Sequence, residues 1–480
     1  MNANELCYLP ATEALRLFRS KALSPVELME AVIARAEAVE PTVNALCVRF
    51  FDAALAAARV AEASYMGRGD PPRALTGIPV GIKDEMAIAG QPRSGGSLLH
   101  RDEIAVESIA VGQRILDAGA IVHARTTTPE FSCAAFTHSR LWGVTRNPWN
   151  PEYAVGGSSG GSGAALASGT ATLASGSDIG GSIRIPASFN GVVGFKPPHG
   201  RVPEEAPYNL DQYCHEGPMA RTVADCALFE NAISGPHPSD LVCIAPKLEI
   251  PETLTGIEGM KVALVATPGD WPVDPEVEAN TRAAGEVFHE AGALVEECEL
   301  PVRRHDVMRA MMVHFGALFG ADIMAAAEEH GELMTAYAVK MGEDATAALR
   351  ETSFADGLRL EAEAMAQIAA LLAGHEVLLL PTLATRGFIA GDDYVDHGIE
   401  VGGVQLEDYA EALVTPLFNI ASRCPVLNVP SGFADNGVPT GLQIVGCPYE
   451  DVSVFRAGAA LERLRPWLDT PARRPMQPAG

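Results

Sequence analysis

The stretch from Val155 to Pro186 reads VGGSSGGSGAALASGTATLASGSDIGGSIRIP and contains two glycine-serine clusters joined by small apolar residues. The first cluster spans residues 156–162 and the second spans residues 178–182. Glycines at this density let the backbone approach a ligand closely, and consecutive N–H groups in such turns can bind negative charge. A serine beside such donors has what acyl transfer requires, a nucleophile next to groups that stabilise an oxyanion.

Two other interpretations of these glycines have less support. A phosphate-binding loop of nucleotide hydrolases needs a lysine directly after its last glycine, whereas Ser162 follows Gly161. The pattern G-x-S-x-G of α/β-hydrolases occurs around both Ser158 and Ser159, but it requires a strand immediately before it. Residues 147–153 contain two prolines and predict a loop instead. An esterase of the α/β-hydrolase type therefore stays a minor alternative.

A lysine follows an apolar segment upstream of this stretch. Residues 78–82 read Ile-Pro-Val-Gly-Ile and predict a buried strand, which Lys83 follows directly. Such a lysine can extend to water along its aliphatic stem, or burial can favour its neutral form and make it a base. The residues alone leave both interpretations open.

Alternating helices and strands along the chain predict an α/β layered fold. No internal repeat or low-complexity linker divides the chain, so we expect one domain. Helices are expected over 11–65 (including the alanine-rich part 44–65), 108–119, 162–168, 222–233, 275–292, 303–373 and 451–464. Strands are expected over 78–82, 121–124, 172–175, 260–266, 293–300, 377–380 and 426–429.

The order of motifs along nearly the whole chain resembles the amidase signature family, serine hydrolases that use a Ser–cis-Ser–Lys triad. Besides Val155–Pro186, the motifs are Gly77-Ile-Pro-Val-Gly-Ile-Lys83-Asp84, Thr126–Phe131, Asn147–Asn150, Gly191–Pro197, Gly217–Val223, Pro425–Pro430 and Gly441–Gly446. The resemblance implies a single amidase domain over 1–480, with a central mixed β-sheet covered by helices on both faces. Within it we expect an N-terminal helical segment (1–65), a signature core (77–225) and a helical substrate-pocket region (303–373).

The resemblance also implies roles for individual residues. Ser182 is expected to be the nucleophile, Ser158 the bridging serine on a cis peptide bond, and Lys83 the base. The separation of 24 residues between Ser158 and Ser182 equals the spacing in the family and selects Ser158 over Ser159. The expected oxyanion hole consists of the backbone N–H groups of Ile179, Gly180, Gly181 and Ser182, and Asp178 and Arg184 are expected to support it.

Composition restricts the class of protein further. Of 480 residues, 48% are hydrophobic and 20% are charged, which is ordinary for a globular protein with a large core. The formal net charge of −26 argues against binding to nucleic acid or to an anionic membrane, since both need clustered cations. Nine scattered cysteines without a CxxC pair indicate reduced thiols. We expect a cytoplasmic protein without a secretory signal or a membrane-spanning segment.

No metal site or cofactor is predicted. The twelve histidines contain no HExxH motif and no paired Cys/His spacing, and the implied mechanism needs neither metal nor cofactor. His215 and His314 are expected to be structural groups or to lie at the rim of a pocket. Asp84 and Asp178 are expected to make loop or turn hydrogen bonds.

The expected substrate is a carboxylic amide in a small molecule, hydrolysed through an acyl-enzyme to an acid plus ammonia or an amine. The alternative is the glutamine-hydrolysing component of a tRNA-dependent amidotransferase. That component usually carries glutamine where this chain has Ile185, and a Tyr-Gly-Arg-Val-Ser-Arg-Tyr-Gly-like run where this chain has His199–Ala206. Both differences favour a stand-alone amidase for aryl, alkyl or cyclic amides. The intact triad positions argue against an inactive relative.

Two further expectations concern helices and assembly. Met308, Met311, Met312, Phe315 and Phe319 recur at helical spacing. Such a stripe is predicted to be core, and in this family part of the region lines the substrate pocket. The family also suggests a homodimer.

Overall fold

A computed structural model describes residues 1–475 of the chain. Its strands are β1 (Leu46–Arg49), β2 (Pro79–Lys83), β3 (Ile121–Thr126), β4 (His138–Ser139), β5 (Gly143–Val144), β6 (Leu173–Ser177), β7 (Val193–Lys196), β8 (Glu216–Ala220), β9 (Lys261–Leu264), β10 (Leu294–Glu297), β11 (Val377–Pro381), β12 (Ile399–Val401), β13 (Val404–Leu406), β14 (Val426–Phe433) and β15 (Pro439–Gly446).

Its α-helices are α1 (Ala3–Cys7), α2 (Ala11–Ser20), α3 (Pro25–Val43), α4 (Phe51–Tyr65), α5 (Ala110–Asp117), α6 (Gly160–Ser168), α7 (Arg184–Asn190), α8 (Val223–Ile233), α9 (Pro275–Glu290), α10 (Arg304–Phe315), α11 (Ala321–His330), α12 (Ala336–Glu351), α13 (Phe354–Leu372), α14 (Leu417–Ile420) and α15 (Asp451–Leu464).

One mixed sheet organises the molecule. Within residues 1–475 it has eleven strands in the order β1-β3-β2-β6-β8-β7-β14-β15-β11-β9-β10. Strand β2 runs parallel to both β3 and β6, and β9 runs parallel to β10 and β11, whereas the remaining pairs are antiparallel. This sheet confirms the predicted α/β class and the mixed strand directions.

Helices cover both faces of the sheet, as predicted. Successive side chains of a strand point to opposite faces, and Leu379 of β11 packs in one core cluster while its neighbours Leu378 and Leu380 pack in another. The first cluster includes Phe229 of α8, Phe288 of α9 and Phe455 of α15. The second includes Met311 of α10 and Ile368 of α13.

The N-terminal segment differs from the prediction at one place. The sequence predicts helix throughout residues 44–65, but Leu46–Arg49 form β1, which pairs antiparallel with β3 at the edge of the sheet. Alanines in 53–64 support helix α4 through their high helix propensity. Leu46–Arg49 instead complete the edge of the sheet, because tertiary pairing overrides weak local preference.

The region 303–373 is helical, as predicted, and forms a layer over the second core cluster. Its segment 304–333 is long and apolar enough to cross a membrane by length and composition, with a mean hydropathy of 1.5 over its most apolar window. Within that window 44% of the residues are buried, and α10 packs against α12 and α13.

The cysteines are unpaired in the part of the chain that the structure describes, and all nine lie within it. This agrees with the prediction of reduced thiols.

Because both faces of the sheet are buried, shortening a side chain at its centre should lower the free energy of unfolding substantially. Leu379→Ala removes a fully buried side chain between β9 and β15 and should destabilise the fold by about 2–5 kcal/mol. The midpoint of denaturant-induced unfolding measures this loss. The matched control is Leu241→Ala, because Leu241 is 94% exposed and should change stability by less than about 0.5 kcal/mol. Equal effects of the two substitutions would contradict the assignment of the core.

Candidate active site

Two neighbouring parallel strands bring the predicted lysine and a row of serines to one edge of the sheet. Lys83 is the last residue of β2, and β6 pairs with β2 and ends at Ser177. The backbone N–H of Lys83 donates to Ser175 Oγ at 3.0 Å. The Lys83 side chain is only 1% exposed, so it is a buried amine and does not extend to water.

Three oxygens surround the Lys83 ammonium. Lys83 Nζ donates to Ser158 Oγ at 2.7 Å and to Ser177 Oγ at 2.8 Å. It also forms an ion pair with Glu85 Oε1 at 2.7 Å. A lysine ammonium has three N–H donors, and this arrangement offers an acceptor to each.

The first serine cluster is arranged so that Ser158 meets Lys83 and Ser159 does not. The peptide bond between Gly157 and Ser158 is cis, as the resemblance implies. Ser159 precedes α6, and its backbone N–H donates to the carbonyl oxygen of Ser182 at 3.1 Å. Its hydroxyl instead contacts the backbone of Ser177, accepting from the N–H at 3.3 Å. The first cluster is therefore joined directly to the second.

The glycines of the first cluster are tightly packed. A Cβ added to Gly157 would lie 2.5 Å from the carbonyl oxygen of Ala134. One added to Gly161 would lie 2.3 Å from the backbone nitrogen of Thr127. Contacts this short with backbone atoms are not tolerated, so these positions accept only glycine without a local rearrangement.

Asp178 organises the second cluster. Its carboxylate accepts hydrogen bonds from the backbone N–H groups of Gly181 at 2.9 Å and Ile183 at 3.2 Å. It also accepts from Arg184 Nε and Nη2 at 2.9 and 2.8 Å, and from Asn419 Nδ2 at 2.9 Å. Burial raises the pKa of this carboxyl, but the Arg184 charge and these hydrogen bonds outweigh burial and hold the pKa well below its usual range.

Arg184 extends the network to the other half of the sheet. It is fully buried and donates to the carbonyl oxygen of Thr415 at 2.8 Å, to Gln443 Oε1 at 2.7 Å and to Asn419 Oδ1 at 2.7 Å. Gln443 belongs to β15. The pair Asp178–Arg184 thus anchors the loop 178–183 to the core.

The backbone N–H groups predicted to form the oxyanion hole differ in whether they already donate a hydrogen bond. Within residues 1–475, the backbone N–H groups of Ile179, Gly180 and Ser182 donate to no other group. That of Gly181 already donates to Asp178. Gly181 has a φ of +126°, and a Cβ there would lie 2.2 Å from Thr415 Oγ1. Glycine is therefore required at this position for both conformation and space.

The methionine-phenylalanine stripe of α10 faces this loop. A Cβ at Gly180 would lie 3.4 Å from Phe315 Cζ and 3.8 Å from Met311 Sδ. Phe315 and Met311 are buried, whereas Ile179, Met312 and Phe319 are only partly buried beside them. The stripe is thus mainly core, as predicted, and Phe315 and Met311 give Gly180 of the loop an apolar neighbourhood.

The polar loop before β8 is fixed to the helical layer. His314 stacks on Tyr213 with ring centroids 3.8 Å apart, and its Nε2 lies 2.7 Å from Asp211 Oδ2. Burial lowers the pKa of His314, but the hydrogen bond to Asp211 and the nearby carboxylate of Glu361, 3.4 Å from Nδ1, outweigh burial and raise it to about 9. His314 is therefore a structural cation, in line with the prediction.

His215 and Asp84 are structural as well. His215 Nδ1 lies 2.7 Å from the carbonyl oxygen of Tyr213 and 3.2 Å from that of Asp178. Asp84 accepts from Ser94 Oγ, from the backbone N–H of Gly96 at 3.1 Å and from Trp142 Nε1 at 3.1 Å. Both residues hold loops around the site, as predicted.

Sequence reasoning missed Glu85 and Ser177, which both contact Lys83 Nζ. Ser177 directly precedes Asp178 at the end of β6, and Glu85 lies two residues after Lys83. The position of Glu85, beside the motif that contains Lys83, was the available signal. Its contacts with Ser132 and Ser177 depend on distant segments and could not be read from the sequence.

A group of potential metal ligands lies elsewhere, near β10. Donor atoms of Glu296, Cys298 and His375 lie within 4.8 Å of one another, a cluster that the sequence spacing did not predict. His375 Nε2 lies 3.4 Å from Glu296 Oε2, whose side chain is 74% exposed. The cluster belongs to the far end of the sheet from β2 and β6.

Comparison with known proteins identifies the family. The amidase family model matches residues 27–455. The chain is 33% identical to the glutamyl-tRNA(Gln) amidotransferase A chain of Chloroflexus aggregans, over 96% of this chain and 98% of that protein. It is also 33% identical to an acylamidase of Rhodococcus erythropolis, over 98% of each chain. The crystal structure of a bacterial aryl acylamidase superposes with a TM-score of 0.88 at 29% identity, covering 96% of this chain and 97% of that one. The chain belongs to the amidase signature family and is an amide hydrolase.

Proposed function

We propose that Ser182 is the nucleophile, Ser158 the proton relay and Lys83 the base of a small-molecule amidase. The observation that carries this proposal is the hydrogen bond of 2.7 Å between Lys83 Nζ and Ser158 Oγ. The hydrogen bond from Ser159 to the Ser182 carbonyl supports it, because it holds the two serine clusters together. A hydroxyl is a weak nucleophile until a neighbouring group takes its proton.

In the proposed reaction, the neutral amine of Lys83 accepts the Ser158 proton while Ser158 Oγ accepts that of Ser182. Ser182 Oγ bonds to the amide carbonyl carbon, whose oxygen becomes an oxyanion. The proton then returns along the same path to the leaving nitrogen, and the C–N bond breaks. Water hydrolyses the acyl-enzyme by the same relay and releases the acid.

We assign the oxyanion hole to backbone N–H groups of the loop 178–183. Those of Ile179, Gly180 and Ser182 are available within residues 1–475, and that of Gly181 must be shared with Asp178. One such donor contributes about 3 kcal/mol to lowering the barrier. Asp178 and Arg184 act by fixing the shape of this loop.

We further propose that the amide carries an aryl or alkyl group. The side chains of Phe315 and Met311 beside Gly180 are apolar, and Ile185 is only 2% exposed, with its Cδ1 beside Gly181. Such a surface provides little to hydrogen-bond the polar side chain of glutamine. The similarity to an aryl acylamidase and an acylamidase supports this substrate class.

The second candidate is the glutamine-hydrolysing component of an amidotransferase. The relative from Chloroflexus aggregans, at 33% identity over nearly full length, favours it. The apolar Ile185 argues against it. A cytoplasmic location and a homodimer remain predictions, the former supported by the nine unpaired cysteines.

Substitution of the triad tests the mechanism. Ser182→Ala and Lys83→Ala should each lower kcat at least about 1000-fold, because members of such a triad act as a unit. Ser182→Ala should also lose covalent labelling by a fluorophosphonate, measured by intact-protein mass spectrometry. The matched control is Ser159→Ala, which removes a hydroxyl that does not contact Lys83 and should keep kcat within about tenfold. Turnover and labelling that survive in Ser182→Ala would exclude it as the nucleophile.

A product assay separates the two candidate functions. The purified chain alone is offered anilides, alkyl amides, cyclic amides and glutamine, with amine and ammonia release measured separately. We expect arylamine or alkylamine release, because the side chains beside Gly180, Phe315 and Met311, are apolar. Ammonia from glutamine alone, or activity only after a partner protein is added, would favour the amidotransferase component.

The role assigned to Asp178 predicts a loss of stability as well as activity. Asp178→Asn keeps the side-chain shape but leaves Arg184 buried without its counter-charge, which should cost about 3–5 kcal/mol. Thermal unfolding and kcat measure the two effects. Asp435→Asn is the matched control, because Asp435 is 66% exposed and pairs with Arg386 at 3.0 Å, a contact worth at most about 1 kcal/mol. A stable, fully active Asp178→Asn variant would remove the proposed role.

A further inference from the structure

The carboxylate of Glu85 is bound to the proposed base, and the reaction described above does not use it. Its Oε1 lies 2.7 Å from Lys83 Nζ. A carboxylate at this distance favours the ammonium form of a lysine, whereas the proposed relay needs the neutral amine. The contact with Glu85 therefore opposes the form of Lys83 that the proposed relay needs.

Glu85 is held in place by hydroxyls from two other segments. Ser132 Oγ and Ser177 Oγ both donate to its carboxylate. Ser132 and the preceding Phe131 have φ angles of +57° and +53°, a conformation that residues other than glycine seldom adopt. Strained backbone persists only where the surrounding structure enforces it. The surrounding structure therefore holds Ser132 in place against Glu85.

Exposure distinguishes the two members of the pair. The Lys83 side chain is 1% exposed and the Glu85 side chain is 25% exposed. Within residues 1–475, the other two groups bonded to Lys83 Nζ are the hydroxyls of Ser158 and Ser177. Glu85 is thus the charged partner of Lys83 that reaches water.

Glu85 is the anion that faces Lys83. The other charged or titratable groups nearby are cations with other partners or acids whose pKa is raised. The nearby cations are Arg93, which pairs with Glu205 at 2.8 Å, and Arg125, which donates to the carbonyl oxygens of Lys83 and Asp84. Burial raises the pKa of Glu204 to about 8 and raises that of Glu216 well above its usual range, so burial disfavours the anionic form of both. Burial also raises the pKa of Cys214 and Tyr208, which stay neutral.

We infer that Glu85 is a positioning residue that keeps Lys83 protonated in the resting enzyme and passes the excess proton to water, and thereby sets the pH above which the enzyme turns over. The inference rests on the proposed function, since it assumes that Lys83 is the base. The proton moves from Lys83 Nζ to Glu85 Oε1, which leaves a neutral amine and a carboxylic acid. The acid then releases the proton to solvent. No bond between heavy atoms changes in this step.

The test is the pH dependence of kcat/KM in Glu85→Gln, with an anilide that the unsubstituted protein hydrolyses. Removing the negative charge favours the neutral amine, so the pH of half-maximal kcat/KM should fall by about 1–3 units. Glu85→Asp shortens the side chain by one methylene and moves the carboxylate away from Lys83, so the pH of half-maximal kcat/KM should fall less. The matched control is Glu205→Gln, which removes a nearby carboxylate paired with Arg93 and should leave this pH unchanged.

The outcomes distinguish this inference from the proposed function. An unchanged pH of half-maximal kcat/KM in Glu85→Gln would overturn it, as would a folded variant that is inactive at every pH. If Glu85→Gln does not fold, an unchanged value in Glu85→Asp overturns it. Failure of the unsubstituted protein to hydrolyse any amide and to react with a fluorophosphonate would instead overturn the proposed function. Normal labelling with an unchanged pH profile removes the role of Glu85 alone.

Discussion

The buried ion pair between Asp178 and Arg184 connects the loop 178–183 to the whole sheet. Removing both charges from water is costly, and only good geometry with further hydrogen bonds offsets that cost. Asp178 meets this condition with two backbone N–H groups and Asn419, and Arg184 meets it with Thr415 and Gln443. The loop cannot shift without leaving a buried charge unpaired. Its backbone N–H groups are therefore fixed in advance, as the proposed oxyanion hole requires.

The mixed direction of the strands explains how distant segments meet at one edge. Strands β2 and β6 are parallel neighbours, so Lys83 and Ser177 end side by side. Strand β8 runs antiparallel to β6 and begins with Glu216 opposite Ser177. The loop that precedes β8 is thereby brought to the same edge, where Asp211 and Tyr213 contact His314 of α10.

The motifs predicted the contact between Ser158 and Lys83. They did not predict features that depend on distant segments of the chain. Spacing identified Ser158 over Ser159, and the structure places Ser158 Oγ against Lys83 Nζ. Strand β1 was missed because its four residues adjoin an alanine-rich helix and form a strand only by pairing with β3. Glu85 was missed for a related reason. Its partners Ser132 and Ser177 lie 47 and 92 residues away, and no local pattern reports such contacts.

The glycines of the first cluster are constrained by packing and not by chemistry. The backbone atoms of Ala134 and Thr127 occupy the space that any larger residue at Gly157 or Gly161 would need. A descendant that lost its nucleophile would still need these glycines in order to fold. The glycine-rich signature therefore records ancestry and architecture, and it would persist in a relative that had become a pseudoenzyme. Under the proposed mechanism, the side chains of Lys83, Ser158 and Ser182 separate a working enzyme from such a relic.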